Sequence, residues 1–196
     1  MLENIAQYKI LLASNSPRRR ELLGGLGVDY EVVSLPEIDE SYPPTLTGEE
    51  IPRYISRQKA NAYRAMMTSE TMLITADTIV WMDGKVYGKP VDADDARRML
   101  RDLSGHTHTV ITGVTITTSE HSKSFAVSTQ VTFASLSDDE IDYYISNYKP
   151  FDKAGAYGIQ EWIGYIGVTA LDGSYFNVMG LPIQRLYSEL KQWKSL

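Results

Sequence analysis

Hydrophobic and polar positions along the chain change period repeatedly, and each change marks an element. Lys9 to Ala13 is a short apolar run and predicts a buried strand. Ser16-Pro17 follows as an N-cap with proline at the first helical position, predicting a helix to about Gly24 or Gly27. Tyr30 to Ser34 reads as a second strand, and residues 36–48, with three prolines and Asp39-Glu40, as the longest loop. From Glu49 to Met67 the spacing is helical, with Ile51, Tyr54, Ile55, Ala62 and Met66 on one side. Met72 to Trp81 predicts a strand, and Asp83-Gly84 a tight hairpin into Lys85-Val86-Tyr87. Asp92 caps a helix carrying Ala93, Ala96, Leu100 and Leu103. Thr109 to Thr118 and Ser124 to Phe133 alternate clearly and form a long hairpin through Ser119 to Lys123. Ser137 with Glu140 is a capping box ahead of Ile141, Tyr144, Ile145 and Tyr148 on one helix face. A strand near Ile166 to Ala170 and a helix from about Pro182 to Trp193 complete the pattern. Helices interspersed with hairpins predict an α/β or α+β protein with a mixed sheet.

Composition narrows the function classes. The chain has 196 residues, 43% of them apolar, which suits a single domain with a packed core. A formal charge of −6 at pH 7 argues against a broad nucleic-acid surface, but a small anion needs only a few local cations. The absence of cysteine removes disulfides, thiolate zinc sites and cysteine nucleophiles together. The apolar run Ile10-Leu11-Leu12-Ala13 is too short for a signal-peptide core, and no stretch reaches the length of a membrane span. A cytoplasmic protein is expected.

Candidate chemistry starts where local rules are broken. Ser14-Asn15-Ser16-Pro17-Arg18-Arg19-Arg20 joins a strand to a helix N-terminus, an end that favours acidic neighbours, yet three arginines fill its first turn. Either an anion is held there by backbone N–H groups, serine hydroxyls and guanidinium forks, or the arginines are solvated and pair with nearby carboxylates. Asp77 stands in an otherwise apolar or hydroxylated strand, where a carboxylate is costly unless it is paired, binds metal or lies at a cleft. Lys59 lies on the apolar stripe of its helix and either snorkels to solvent or points its ammonium into a site. Gly84-Lys85-Val86-Tyr87-Gly88-Lys89-Pro90 fails as a phosphate loop on glycine spacing and on its proline, though Lys89 can still meet a phosphate as a point charge. His106 and His108 share a strand face without a suitably spaced third zinc ligand, and His121 falls in a hairpin turn. There is no Gly-x-Ser-x-Gly elbow, and the 13 tyrosines scatter through core stripes rather than alternating with basic residues.

Six motifs in order carry a resemblance. Ser14-x-Ser16-Pro17-Arg18-Arg19, Ala76-Asp77-Thr78, Gly88-Lys89-Pro90, Leu103-Ser104-Gly105 with His108, Asp152-Lys153-Ala154-Gly155-x-Tyr157 and Gly180-Leu181-Pro182 resemble the Maf family, from about Ile10 to Leu190. The resemblance implies an α/β fold similar to inosine triphosphate pyrophosphatases: a mixed twisted sheet with flanking helices and a deep cleft. It implies house-cleaning hydrolysis of a nucleoside triphosphate between its α- and β-phosphates, with Mg²⁺ or Mn²⁺ as cofactor and a homodimeric assembly. By position, Asp77 is the general base or a metal-linked carboxylate, and Glu40 helps hold the metal. Ser14, Arg19, Lys59 and Lys89 grip phosphates, while Arg18, Thr78 and Gln160 match the specificity positions of the dTTP- and UTP-preferring subgroup. Rival readings are the same reaction on modified or purine nucleotides, and a nucleotide-binding regulator of cell division. One position departs from the pattern: many members follow the glutamine with glycine, whereas here Glu161 and Trp162 follow.

Overall fold

The computed structural model describes residues 2–34 and 38–194. Residues 36 and 37 of the expected long loop therefore lie outside the described residues. In chain order the elements are β1 (Lys9–Ala13), α1 (Pro17–Gly24), β2 (Tyr30–Val33), α2 (Glu50–Tyr63), β3 (Thr71–Met82), β4 (Lys85–Tyr87) and α3 (Ala93–Leu103). There follow β5 (Thr107–Thr117), β6 (Ser122–Phe133), α4 (Asp138–Tyr148), α5 (Trp162–Gly167), β7 (Val168–Asp172), α6 (Tyr175–Met179) and α7 (Ile183–Lys191). The seven strands form one mixed, twisted sheet in the order β2-β1-β3-β5-β6-β7, with β4 paired to β3. The expected α/β class with a mixed sheet and flanking helices is what the chain adopts.

The chain packs as two compact units. The first comprises Met1–Asp77, Thr112–Val127 and Gly180–Leu196, the second Thr78–Ile111 and Ser128–Met179. In the first, β1 runs parallel to both β2 and β3, Leu12 facing Val32 on one side and Ile74 on the other. Strands covered on both faces read as continuous apolar runs, which is why Ile10 to Ala13 and Met72 to Ile74 are all buried. In the second unit, β3 turns into β4 through Asp83 and Gly84, whose φ values of 51° and 77° both lie in the left-handed region that a two-residue hairpin requires. Asp92 accepts a bond from the Asp95 N–H at 2.8 Å to cap α3, and Ser137 with Glu140 forms the full capping box of α4.

The structure corrects four details of the sequence reading. α2 stops at Tyr63 and a short 3₁₀ turn carries Arg64–Met66, so Met66 is exposed rather than part of the buried stripe. The strand expected near Ile166 starts at Val168 instead, because α5 occupies the preceding residues. α5 and α6 were not anticipated; six and five residues are too few to show a helical period. Among the described residues no helix is long and apolar enough to cross a membrane.

Candidate functional site

The first unit builds a buried charge cluster from two short-range registers. On α2, Ser56 and Lys59 are three residues apart and share a face; on β3, Thr75 and Asp77 are two apart and share a face. Thr75 donates its hydroxyl to the Ser56 carbonyl at 2.7 Å, and the Ser56 and Thr115 hydroxyls meet at 2.9 Å. These bonds pin α2 against β3 and β5 and deliver Lys59 onto Asp77. The Lys59 ammonium lies 2.8 Å from Asp77 Oδ1 and 3.0 Å from Glu40 Oε1. Lys59 and Asp77 are buried, whereas the Glu40 side chain is half exposed on its loop. The snorkelling alternative for Lys59 is thereby settled: the ammonium points inward.

Arg19 reaches the same neighbourhood. Its Nε donates to the Gly180 carbonyl at 2.7 Å and Nη1 to the Ala76 carbonyl at 2.9 Å, tying α1 to the strand position just before Asp77. Burial pulls the Arg19 guanidinium below its ordinary value; Asp77 opposes that, Arg18 adds to it, and Glu40 opposes it again. Ser14 is buried at the end of β1, with its Oγ accepting the Ser16 N–H at 3.2 Å. Ser16 stands at the N-cap as expected, but its own side chain makes no cap bond.

The second unit holds the remaining candidates. Thr78 follows Asp77 directly along β3 and is half-buried; Lys89 is exposed just beyond β4. Gln160 sits in the turn before α5, with its Oε1 buried and lacking a hydrogen-bond partner. Behind it lies a network the motifs did not announce. Glu161 Oε1 is 3.2 Å from the Lys153 ammonium, and its Oε2 accepts the Tyr144 hydroxyl. Lys153 also holds Asp152 at 2.7 Å, and Tyr144 accepts the Gly158 N–H at 3.0 Å. Of these, only the Asp152-Lys153 motif and the unusual Glu161 were visible as signals.

His108 is a packing residue rather than a metal ligand. It is buried, its Nε2 is 2.7 Å from the Tyr157 hydroxyl, and its ring packs edge-on to Phe133 and Tyr157. Burial pushes its pKa down to about 4, so the imidazole is neutral at pH 7. Among the described residues no group of three or more His, Cys, Asp or Glu forms a metal cage. Asp77 and Glu40 are nonetheless hard oxygen donors drawn onto one cation, and two carboxylates completed by substrate oxygens are a usual donor set for Mg²⁺.

The strand order and the placement of helices define a HAM1-like α/β fold. A HAM1 protein from Coxiella burnetii superposes with a TM-score of 0.53 over 95% of this chain and 100% of that one, at 14% identity. That likeness speaks for the fold alone. The family model for Maf-like proteins matches residues 9–193, and the chain belongs to that family. A Phocaeicola vulgatus protein named dTTP/UTP pyrophosphatase is 66% identical over 98% of this chain and 100% of its own length. A Parabacteroides distasonis protein of the same name is 58% identical, again over 98% and 100%.

Proposed function

We propose that the chain hydrolyses nucleoside triphosphates at the α–β phosphoanhydride, with dTTP and UTP preferred, yielding nucleoside monophosphate and pyrophosphate. The carrying observation is the buried cluster in which one ammonium serves the strand carboxylate Asp77 and the loop carboxylate Glu40 at 2.8 and 3.0 Å. Membership of the Maf-like family, and near full-length identity to proteins named for that reaction, supply the reaction class.

In this reading Asp77 accepts a proton from the attacking water as the water oxygen bonds to phosphorus and the α–β bridging bond breaks, the electron pair leaving with the bridging oxygen. A carboxylate fixed on a central strand is held in place for that task, which lowers the entropic cost of orienting the water. Lys59 has a second role: when a triphosphate arrives, its ammonium can exchange one carboxylate for a phosphate oxygen. Ser14, Arg19 and Lys89 supply further phosphate contacts, Arg19 from a guanidinium already anchored to two carbonyls. Asp77 and Glu40 would hold Mg²⁺ or Mn²⁺, which when bound neutralises phosphate charge. In the second unit, the partnerless Oε1 of Gln160 and its amide N–H groups match the donor and acceptor of a pyrimidine edge, with Arg18 and Thr78 as the other specificity positions. A nucleotide-pool role in the cytoplasm, carried out by a homodimer, completes the proposal.

The test is a panel of triphosphates assayed with Mg²⁺ or Mn²⁺ while products are resolved. Monophosphate plus pyrophosphate is expected, with dTTP and UTP ahead of purines. Orthophosphate plus diphosphate overturns the cleavage site, and purines ahead of dTTP overturn the specificity. Asp77→Asn should lower kcat by about 10²–10⁴-fold, the usual worth of a general base, while the protein stays folded.

A further inference from the structure

The position where this chain departs from its family's pattern, Glu161, is held from two sides next to Gln160. Both carboxylate oxygens of Glu161 are occupied by protein groups, Oε1 by Lys153 and Oε2 by Tyr144. The Tyr144 hydroxyl in turn accepts the Gly158 N–H at 3.0 Å, so carboxylate, phenol and backbone form one chain of bonds. The backbone closes the same loop: the Glu161 N–H donates to the Gly158 carbonyl at 3.0 Å, and the Gly164 N–H to the Glu161 carbonyl at 2.9 Å. Residues 158–161 are thus a turn whose last side chain folds back over its first residue.

That fold-back places Glu161 against Gln160. A Cβ added to Gly158 would lie 2.9 Å from the Glu161 carboxyl carbon and 3.1 Å from Gln160 Nε2. The amide and the carboxylate therefore crowd the same point, and space vacated by one is open to the other. Burial, and then the bond to Glu161, push the Tyr144 phenol up, so it keeps its proton and remains a donor to the carboxylate. Each oxygen of Glu161 already faces a fixed donor of the protein, which assigns the carboxylate to holding the turn.

We propose that Glu161 is a positioning residue for nucleobase selection: by holding Lys153 and Tyr144 it fixes the Gly158–Glu161 turn and the direction in which Gln160 presents its amide. The proposal rests on the reading of Gln160 as the base-selecting side chain. Glycine at 161 releases Lys153 and the phenol together and lets the Gln160 amide sample the vacated space. The loss falls on base discrimination rather than on the chemical step.

The experiment measures KM and kcat separately for dTTP and dATP in the full-length wild type, Glu161→Gly, Glu161→Gln, Tyr144→Phe and Gln160→Ala. Glu161→Gly should raise KM for dTTP and shrink the dTTP-over-dATP preference in kcat/KM by about tenfold, with kcat for dTTP within about threefold. Glu161→Gln keeps an acceptor for Tyr144 and should restore part of the preference. Tyr144→Phe, which removes only the hydroxyl, should shift the preference the same way and keeps the test decisive should Glu161→Gly not fold. A merely structural role lowers the folded fraction, and so kcat for both nucleotides alike, and leaves KM and the ratio unmoved; that result overturns the proposal. If Gln160→Ala lowers the preference while the Glu161 and Tyr144 variants do not, Glu161 positions nothing and the reading of Gln160 stands. If Gln160→Ala itself leaves the preference unchanged, the base-reading role falls, and the proposal with it.

Discussion

Each unit of this protein holds a lysine ammonium between two carboxylates, and the two clusters differ in what else their acids touch. In the first unit Lys59 lies between Asp77 and Glu40; in the second Lys153 lies between Asp152 and Glu161. Both clusters pair one buried lysine with one well-covered acid and one more exposed acid. The distinction lies in the covered acid. Glu161 spends its second oxygen on the Tyr144 hydroxyl, a donor fixed by burial in α4, so the carboxylate is locked on both sides by the protein. Asp77 owes its ion pair to a lysine whose second partner comes from a half-exposed loop residue. On the proposed function, the same charge pattern serves as a rivet in one unit and as an exchangeable ion cluster in the other. Burial and charge are alike in the two clusters; what differs is the second protein donor on the covered acid of the second unit.

The largest expected effect comes from removing the shared cation of the first unit. Lys59→Met leaves Asp77, a buried carboxylate, facing Glu40 with no ammonium between them. Breaking a buried pair from one side costs about 3–5 kcal/mol. The shift in urea midpoint at constant slope measures it. If the cluster is exchangeable, Mn²⁺ should raise the midpoint of Lys59→Met more than that of the wild type, since a cation then replaces the lost charge. A deficit that Mn²⁺ does not touch breaks the contrast between the two clusters and removes Asp77 and Glu40 as a metal-competent pair.

A smaller, pH-dependent effect belongs to the second unit. Burial lowers the His108 pKa from 6.5 to about 4, so the unfolded chain binds a proton between these values that the folded protein refuses. The stability linked to this residue is therefore whole above about pH 6.5 and is lost as the pH falls toward 4. Across that window the loss is about 3 kcal/mol. His108→Gln, which retains a partner for the Tyr157 hydroxyl, should lose less stability than the wild type between pH 7 and pH 4.5 in parallel urea titrations. Equal losses in the two proteins would show that the His108 ring already takes its proton in the folded state.

Much of the first unit was legible because its anomalies are local. Three arginines at a helix start and an aspartate inside an apolar strand break rules that a short window of sequence can register, and both positions proved to border one cluster. The pairing of Lys59 with Asp77 was not legible, because it depends on how α2 seats on the sheet. That seat is set by hydroxyl contacts among Ser56, Thr75 and Thr115, which leave no hydrophobic period. In the second unit the capping signals of α3 and α4 were readable for the same local reason. The Glu161 network joins residues 144, 153, 158 and 161, and its value lies in contacts across the chain that no spacing encodes. β7 shows no alternation because three of its five residues are exposed, so its start could not be read from pattern.

The seat of α2 offers the finest of these tests. Gly113 on β5 faces the first turn of α2 so closely that a Cβ would stand 2.3 Å from the Pro52 carbonyl carbon and 2.4 Å from the Arg53 nitrogen. Those are backbone atoms, so no side-chain rotation relieves the clash and the helix itself must shift. Overpacking of this kind costs about 1–3 kcal/mol. In Gly113→Ala the shift propagates along α2 to Lys59, two turns further on, and it should lengthen the contacts to Asp77 and Glu40 while leaving the Glu161 network as it is. Gly113→Ala is accordingly expected to lower the urea midpoint modestly and raise KM for dTTP, with the dTTP-over-dATP preference unchanged. An altered base preference with KM intact would mean that seating α2 and setting the Gln160 turn are coupled, and the separation of the two clusters into exchangeable and locked would fail.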